Sequence, residues 1–176
     1  MAETGGNATP EEIQGLIAVF GNPDIEKRHA AIAALRGIGE AAIAPLIAAM
    51  AGAPDNDRRW YAAIALSRIG EPAVLPLIMA METNPAREFR KYAAAALGEI
   101  GEPAADALID GMGSSDPELR GFLSQALCRI GKPAVESLTR RLGDPDETIR
   151  QCATLTLWQM GETGVPDMVE NVKDGE

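Results

Sequence analysis

Residues 90–112 read RKYAAAALGEIGEPAADALIDGM, and this stretch is one of five similar copies that follow one another along the 176-residue chain. Each copy has an arginine, a leucine seven residues later and a glycine four residues after that leucine. The arginines are Arg28, Arg59, Arg90, Arg120 and Arg150, the leucines Leu35, Leu66, Leu97, Leu127 and Leu157, and the glycines Gly39, Gly70, Gly101, Gly131 and Gly161. This fixed period of 30 or 31 residues indicates a repeat array rather than one central core.

Each copy predicts a pair of helices. The arginine-containing segment has apolar residues at helical spacing and stops at the glycine, a residue that favours the left-handed conformation at a helix C-terminus. A second segment follows, and three copies have a proline just past the glycine, where the first turn of a helix tolerates it. These prolines are Pro72, Pro103 and Pro133, and the apolar residues seven places after each glycine are Leu46, Leu77, Leu108, Leu138 and Met168.

The sequence therefore predicts an all-α fold with about eleven helices in a single array over residues 9–176, after a disordered stretch at 1–8. Thr9-Pro10-Glu11-Glu12 has the pattern of a capping box and begins the first helix. Further helices are expected at about 25–37, 41–50, 55–69, 72–81, 86–99, 103–112, 117–130, 133–142, 146–159 and 163–173. The repeats are then about 9–39, 40–70, 71–101, 102–131 and 132–161, with an acidic cap helix in 162–176.

Composition narrows the function classes. The formal net charge of −10 argues against nucleic-acid binding, which depends on many Lys and Arg contacts to phosphate. The two cysteines, Cys128 and Cys152, occupy different positions in their repeats, so we expect free thiols and a cytoplasmic location. The N-terminus lacks a basic start followed by an apolar run, and no apolar stretch of about 18 residues is uninterrupted, so we expect neither a signal peptide nor a membrane partner.

The unit resembles a known repeat family. PAVLPLI at residues 72–78, a short turn, and then R-x-x-A-A-x-A-L-x-x-I-G from Arg90 are similar to a HEAT repeat of the short type found in phycobilin-lyase-like proteins and in designed helical-repeat binders. The resemblance covers about residues 9–173. It implies a right-handed α-α superhelix, a solenoid, in which the first helix of each pair lies on the convex side and the arginine-bearing helix on the concave side.

The candidate binding residues lie on the predicted concave face. Counted from the arginine as zero, positions +3, +7 and +10 form the core stripe, whereas −2, +2, +5 and +9 lie opposite and vary most. Aromatic residues occupy +2 in the middle three repeats, and such residues are frequent anchors in binding surfaces. The predicted partner-binding residues are Trp60, Tyr61, Ile64, Arg68, Arg87, Lys91, Tyr92, Glu99, Phe122, Gln125 and Arg129. The alternative is that the aromatic residues pack between neighbouring helices.

Two further sets of residues receive structural interpretations. The five repeated arginines are expected to form a ladder of contacts to nearby turns, for example at Asn22, Asn84 or Asp144. On the predicted convex side, repeats two and three carry small or apolar outward residues instead of charged ones. These are Ala44, Ala48, Leu75 and Met79. They are interpreted either as an ordinary exposed helix surface or as a weak self-association surface.

No catalytic constellation is evident in the sequence. His29 is the sole histidine, no Cys and His spacing suits zinc, and no glycine-rich phosphate loop follows a strand. We therefore expect no cofactor or metal and predict a non-catalytic scaffold that binds a protein or peptide partner. The alternative, which follows from the resemblance, is a phycobilin-lyase-like enzyme or enzyme subunit that handles a hydrophobic chromophore in its concave groove.

Overall fold

The computed structural model of the protein describes residues 8–161, and within them it contains α-helices, short 3-10 turns and no β-strand. Ten α-helices lie in this range. They are α1 Pro10–Ala18, α2 Ile25–Ile38, α3 Ile43–Gly52, α4 Asn56–Ile69, α5 Val74–Thr83, α6 Arg87–Ile100, α7 Ala105–Gly111, α8 Pro117–Ile130, α9 Lys132–Arg140 and α10 Glu147–Gln159. The eleventh predicted helix, at 163–173, and the predicted disorder at residues 1–7 lie outside the described residues.

Local signals set the helix boundaries. The predicted capping box is confirmed: the Thr9 hydroxyl accepts from the Glu12 backbone N–H at 3.2 Å, and the Thr9 N–H donates to the Glu12 carboxylate at 2.8 Å. Four of the arginine-bearing helices begin after an aspartate whose carboxylate accepts first-turn N–H groups, which would otherwise lack partners. These aspartates are Asp24, Asp55, Asp116 and Asp146.

The repeated glycines end the arginine-bearing helices as predicted. Their φ angles lie between 69° and 88°, a region that a residue with a Cβ rarely adopts. After two of them, Pro72 and Pro103 lie in 3-10 turns, so α5 and α7 begin two residues later than expected. Pro133 lies in the first turn of α9, as predicted.

The core is built from the repeated columns. All five leucines at +7 are fully buried, and so are the apolar residues seven places after the first four glycines. The alanines at +3 are buried as well, whereas the residues at +10 are half-buried. Each repeat thus buries the same stripe of its second helix, which explains why these positions repeat and the others vary.

The predicted arginine ladder is confirmed. Four of the five arginines donate to the backbone carbonyl six residues earlier, in the turn before their own helix. The pairs are Arg28 with Asn22, Arg59 with Ala53 at 2.6 Å, Arg120 with Ser114 at 2.7 Å and Arg150 with Asp144 at 2.6 Å. Arg90 is only 2% exposed, and its Nε donates to the carbonyl of Met81 at 2.9 Å. The column is therefore architectural, because each guanidinium satisfies a backbone carbonyl, which lies in the turn before the helix for four arginines and in α5 for Arg90.

The chain divides into two compact units, an N-terminal unit of residues 1–96 and a C-terminal unit of residues 97–176, with the boundary inside α6. The single array stays a prediction.

One stretch of the described residues, Ile25–Gly52, is long and apolar enough to cross a membrane by length and composition alone. It contains two helices, since Gly39 has a φ of 74° and ends α2. With 14 and 10 residues, α2 and α3 are each shorter than the roughly 20 residues that a membrane-spanning helix needs.

Candidate binding grooves

The aromatic row at position +2 does not form the exposed ridge that the sequence predicts. Tyr61 is 8% exposed and Phe122 is 7% exposed. In the N-terminal unit, the Tyr61 ring stacks on Phe20 with 6.1 Å between ring centroids, and the Arg28 guanidinium lies 4.8 Å from its centroid. Tyr61 is buried because its ring lies against Phe20 and Arg28 of the preceding repeat. For Tyr61, packing between neighbouring helices is therefore the correct interpretation.

The other predicted site residues of the N-terminal unit reach the surface to different degrees. Trp60 is 42% exposed, Arg68 is exposed and Ile64 is half-buried on α4. On α6, Tyr92 is half-buried, and the ammonium group of Lys91 lies 5.6 Å from its ring centroid. Lys91 also pairs with Glu88 across 3.7 Å, while Arg87 is exposed. The ion pair between Lys91 and Glu88 joins two exposed side chains, so it contributes little to stability.

In the C-terminal unit, two predicted site residues bind each other. The Nε of Arg129 donates to the Glu99 carboxylate at 2.9 Å, which links position +9 of one repeat with position +9 of the next. The stem of Arg129 lies directly over Gly98, where an added Cβ would come 2.6 Å from its Cδ. Gln125 is exposed. The pair leaves Glu99 and Arg129 charge-balanced.

An open groove lies between α2 and α4 in the N-terminal unit. It has a volume of about 340 Å³ and is called the α2–α4 groove. Its floor is aliphatic, and its rim carries two arginines and the histidine. The lining residues are His29, Ile32, Ala33, Arg36, Ile64 and Arg68.

A second open groove, of about 240 Å³, occupies the corresponding place between α8 and α10 in the C-terminal unit. Its lining is more polar, and the Ser124 and Thr156 hydroxyls bridge the two helices at 2.8 Å. Cys152 also lines it; burial raises the pKa of this thiol, while the neighbouring Arg120 opposes that effect. A thiol with a raised pKa is a weak nucleophile at neutral pH, because little of it is thiolate. The full lining is Pro117, Arg120, Gly121, Ser124, Thr148, Gln151, Cys152, Leu155, Thr156 and Gln159.

The first helices differ between the units. In the N-terminal unit, α3 packs against α5, and the predicted apolar outward residues are exposed: Ala44, Ala48, Leu75 at 64% and Met79 at 63%. In the C-terminal unit, ion pairs join α7 to the following first helix and turn. Arg140 contacts Asp106 at 3.3 Å, and Arg141 pairs with Asp110.

The side chains of the two grooves offer few groups that could hold a metal ion or act as a nucleophile. Within residues 8–161, no group of three or more His, Cys, Asp or Glu side chains could hold a metal ion. The cysteines are free, and burial also raises the pKa of the Cys128 thiol. The α2–α4 groove combines an aliphatic floor with cationic ends, an arrangement that can recognise a ligand without making or breaking a bond.

Sequence reasoning missed several groove residues. His29 and Arg36 lie at positions +1 and +8, outside the rows that were expected to face a partner, yet both line the α2–α4 groove. Ser124, at +4, lines the groove between α8 and α10. Trp158 on α10 is the most exposed large apolar side chain among the described residues, at 68%. These residues could have been predicted by considering pairs of neighbouring second helices, because positions +1, +4 and +8 of one second helix face the next one across the groove.

Comparisons with known proteins identify the repeats. A family model described as HEAT repeats matches residues 13–98, 43–120 and 105–175. No curated protein sequence matches the chain.

Three solved structures illustrate the similarities that a search of known structures finds. The complex of CpcE and CpcF of phycocyanin lyase from Nostoc sp. PCC7120 is 23% identical, with 83% of this chain and 98% of that chain covered and a TM-score of 0.44. An engineered protein is 20% identical, with 90% and 84% covered and a TM-score of 0.35. Another engineered protein is 18% identical, with 88% and 87% covered and a TM-score of 0.34.

Proposed function

Because the chain belongs to the HEAT-repeat family, we propose that it is a non-catalytic module that binds a protein or peptide partner through its arginine-bearing second helices. One observation carries the proposal. In each unit, two consecutive second helices leave an open groove whose lining consists, apart from Arg120, of residues that vary between repeats, while the repeated leucines at +7 are buried. Residues that the fold does not require are thus concentrated where a partner has access.

Recognition follows from a preorganised surface. The buried leucine columns and the arginine ladder hold the second helices in place, so binding orders little backbone and loses little entropy. Accessible apolar groups supply contact area: the exposed Trp60 and the half-buried Ile64 in the N-terminal unit, and the exposed Leu155 in the C-terminal unit. Exposed Arg68 and Gln125 supply orientation through charge and hydrogen bonding. The buried Tyr61 and Phe122 support this surface from below instead of anchoring a partner.

Partner capture tests the proposal. The immobilised protein is compared with a groove variant, Ile64→Gln with Leu155→Gln, and with a control variant on the first helices, Leu75→Gln with Met79→Gln. All four positions are partly or largely exposed, so we expect both variants to fold, as circular dichroism would verify. We expect the groove variant to lose partners from lysate of the source organism and the control to retain them. Equal capture by the wild-type protein and the groove variant would contradict the proposal.

The lyase-like alternative stays a prediction with its own test. A chromophore-handling protein should shift the visible absorbance of an added bilin, because a protein pocket changes the conformation and polarity around the chromophore. An unchanged spectrum would count against it. The groove variant above separates binding in the grooves from adventitious binding elsewhere.

A further inference from the structure

We propose that the α2–α4 groove binds an acidic peptide segment of a partner, with a carboxylate between Arg36 and Arg68 and an aliphatic side chain on Ile32, Ala33 and Ile64. The inference rests on the proposed function and adds the chemistry of the partner.

The charge of the groove is the first argument. Arg36 and Arg68 are both exposed, and neither forms an ion pair with any carboxylate of residues 8–161. Each lies in the last turn of its helix, where the helix dipole favours a cation, and that accounts for each arginine separately. The helix dipole does not explain why two arginines line the same groove. The chain has 26 acidic and only 16 basic residues, so two unpaired cations in one groove are unexpected. A carboxylate placed between them would meet two guanidinium groups.

The corresponding position in the C-terminal unit supplies the second argument. There, Arg129 at +9 is neutralised by Glu99, at +9 of the preceding repeat. Arg68 is also at +9, but the preceding +9 residue is Gly37, so this position provides no carboxylate. An added Cβ at Gly37 would meet nothing within 4 Å, so the space is open. The carboxylate that Glu99 offers to Arg129 in the C-terminal unit thus has no counterpart at position 37 beside Arg68.

The size and floor of the groove favour a peptide. His29 and Arg36 are seven residues apart on α2, or about 10 Å at the helical rise per residue, which matches about three residues of extended chain. The imidazole of His29 offers a polar contact at the far end, and the aliphatic floor between accepts one branched side chain. Nucleic acid fits poorly, because phosphate binding needs many cations and base binding needs aromatic faces, whereas this floor is aliphatic.

The test uses defined peptides and the 176-residue chain labelled with ¹⁵N. The probe is acetyl-Glu-Leu-Glu-Leu-Glu-amide, titrated to about 1 mM, the range in which such weak contacts are measured. Two control peptides replace either every Glu by Gln or every Leu by Ser. We expect amide shift changes centred on α2 and α4 with the first peptide, at least about threefold weaker binding with either control, and weaker binding as salt is raised.

Matched variants at Gly37 locate the interaction. Gly37→Glu introduces the carboxylate that Glu99 provides to Arg129, and Gly37→Gln has nearly the same size without the charge. We expect Gly37→Glu to weaken binding of the acidic peptide by about threefold or more, and Gly37→Gln to leave it unchanged. The double variant Arg36→Gln with Arg68→Gln should lose at least as much as Gly37→Glu.

Three results would each overturn the inference: no shift changes in α2 and α4, equal binding of the Glu and Gln peptides, or equal effects of Gly37→Glu and Gly37→Gln. Failure here is distinguishable from failure of the proposed function. If capture still depends on Ile64 and Leu155 while the acidic peptide does not bind, the module binds a partner of different chemistry. If capture does not depend on them, the proposed function itself is wrong.

Discussion

Arg90 shows at the scale of one residue why an arginine recurs in every copy. Its Nε donates to the carbonyl of Met81 while the side chain is 2% exposed. A guanidinium carries five N–H donors in a fixed plane and stays charged, so it can satisfy a turn carbonyl and further groups at once. Lysine could supply one such contact but not the fork, which explains the choice of arginine at all five places.

The ladder should therefore stabilise the fold in proportion to its burial. We expect Arg90→Met to lower the free energy of unfolding by about 3 kcal/mol, since it leaves a buried carbonyl without its charged donor. Arg59→Met, at a half-buried position with a contact of 2.6 Å to Ala53, should cost about 1 kcal/mol. Urea unfolding followed by circular dichroism measures both. Equal costs would show that burial does not set the contribution of the column.

The contacts of the Asp144 carboxylate should make the stability of the fold depend on pH in the acid range. The backbone N–H of Asp146 and then the Arg141 guanidinium hold the pKa of this carboxyl below its usual value. A depressed pKa in the folded state means that the stabilisation is present above the unfolded pKa, about 3.9, and is lost as the pH falls through the folded value. We expect Asp144→Asn to melt below the wild type at pH 6, with the difference closing as the pH falls below about 4. Thermal melts across that range would reveal a pH-independent difference if the prediction is wrong.

At the scale of the helix, two glycines that each lie in the last turn of a second helix should respond oppositely to alanine. Gly37 on α2 has open space where a Cβ would lie, whereas a Cβ at Gly98 would lie 2.6 Å from Cδ and 2.9 Å from Cβ of Arg129. We expect Gly37→Ala to stabilise the protein by up to about 1 kcal/mol through helix propensity. Gly98→Ala should instead destabilise it by about 1–2 kcal/mol through overpacking. Parallel denaturant titrations of the two variants test the contrast, and equal signs would contradict it.

The helices were predictable because their signals are local. The Thr9 capping box, the aspartates before the second helices and the glycine at each C-terminus act within one turn, and each does so in the structure. Position +2 was not predictable in this way. Whether an aromatic residue there is exposed depends on the facing helix, and Tyr61 is buried because Phe20 and Arg28 lie against it. A helical wheel contains no information about that neighbour.

At the scale of the molecule, net charge conceals local charge. A formal charge of −10 predicts a surface that repels anions, and the sequence argument against nucleic acid depends on it. The α2–α4 groove nevertheless presents Arg36 and Arg68 without a carboxylate from residues 8–161. Whether these arginines pair with a carboxylate depends on which side chains meet across neighbouring repeats. For Arg68 it depends on position 37, which is a glycine. The sequence contains this glycine, but only the structure shows that +9 residues of neighbouring repeats can contact each other, as Glu99 and Arg129 do.

The exposed apolar side chains of α3 and α5 lead to a prediction about self-association. Leu75 and Met79 lie one helical turn apart and are each more than 60% exposed, and Ala44 and Ala48 are exposed on α3, which packs against α5. Burying side chains of this size contributes about 1–2 kcal/mol each, while association costs at least about 4 kcal/mol in lost freedom. We therefore expect only weak dimers, with a Kd of about 1 mM or weaker.

Sedimentation equilibrium over a wide concentration range measures this association. Leu75→Glu with Met79→Glu should give a monomer mass at every concentration, because it places charges in the contact. Leu155→Glu, on a second helix and also exposed, is the matched control and should leave the association unchanged. A wild-type mass that does not depend on concentration would exclude the self-association surface, and the apolar residues of α3 and α5 would then be an exposed helix surface without a partner copy.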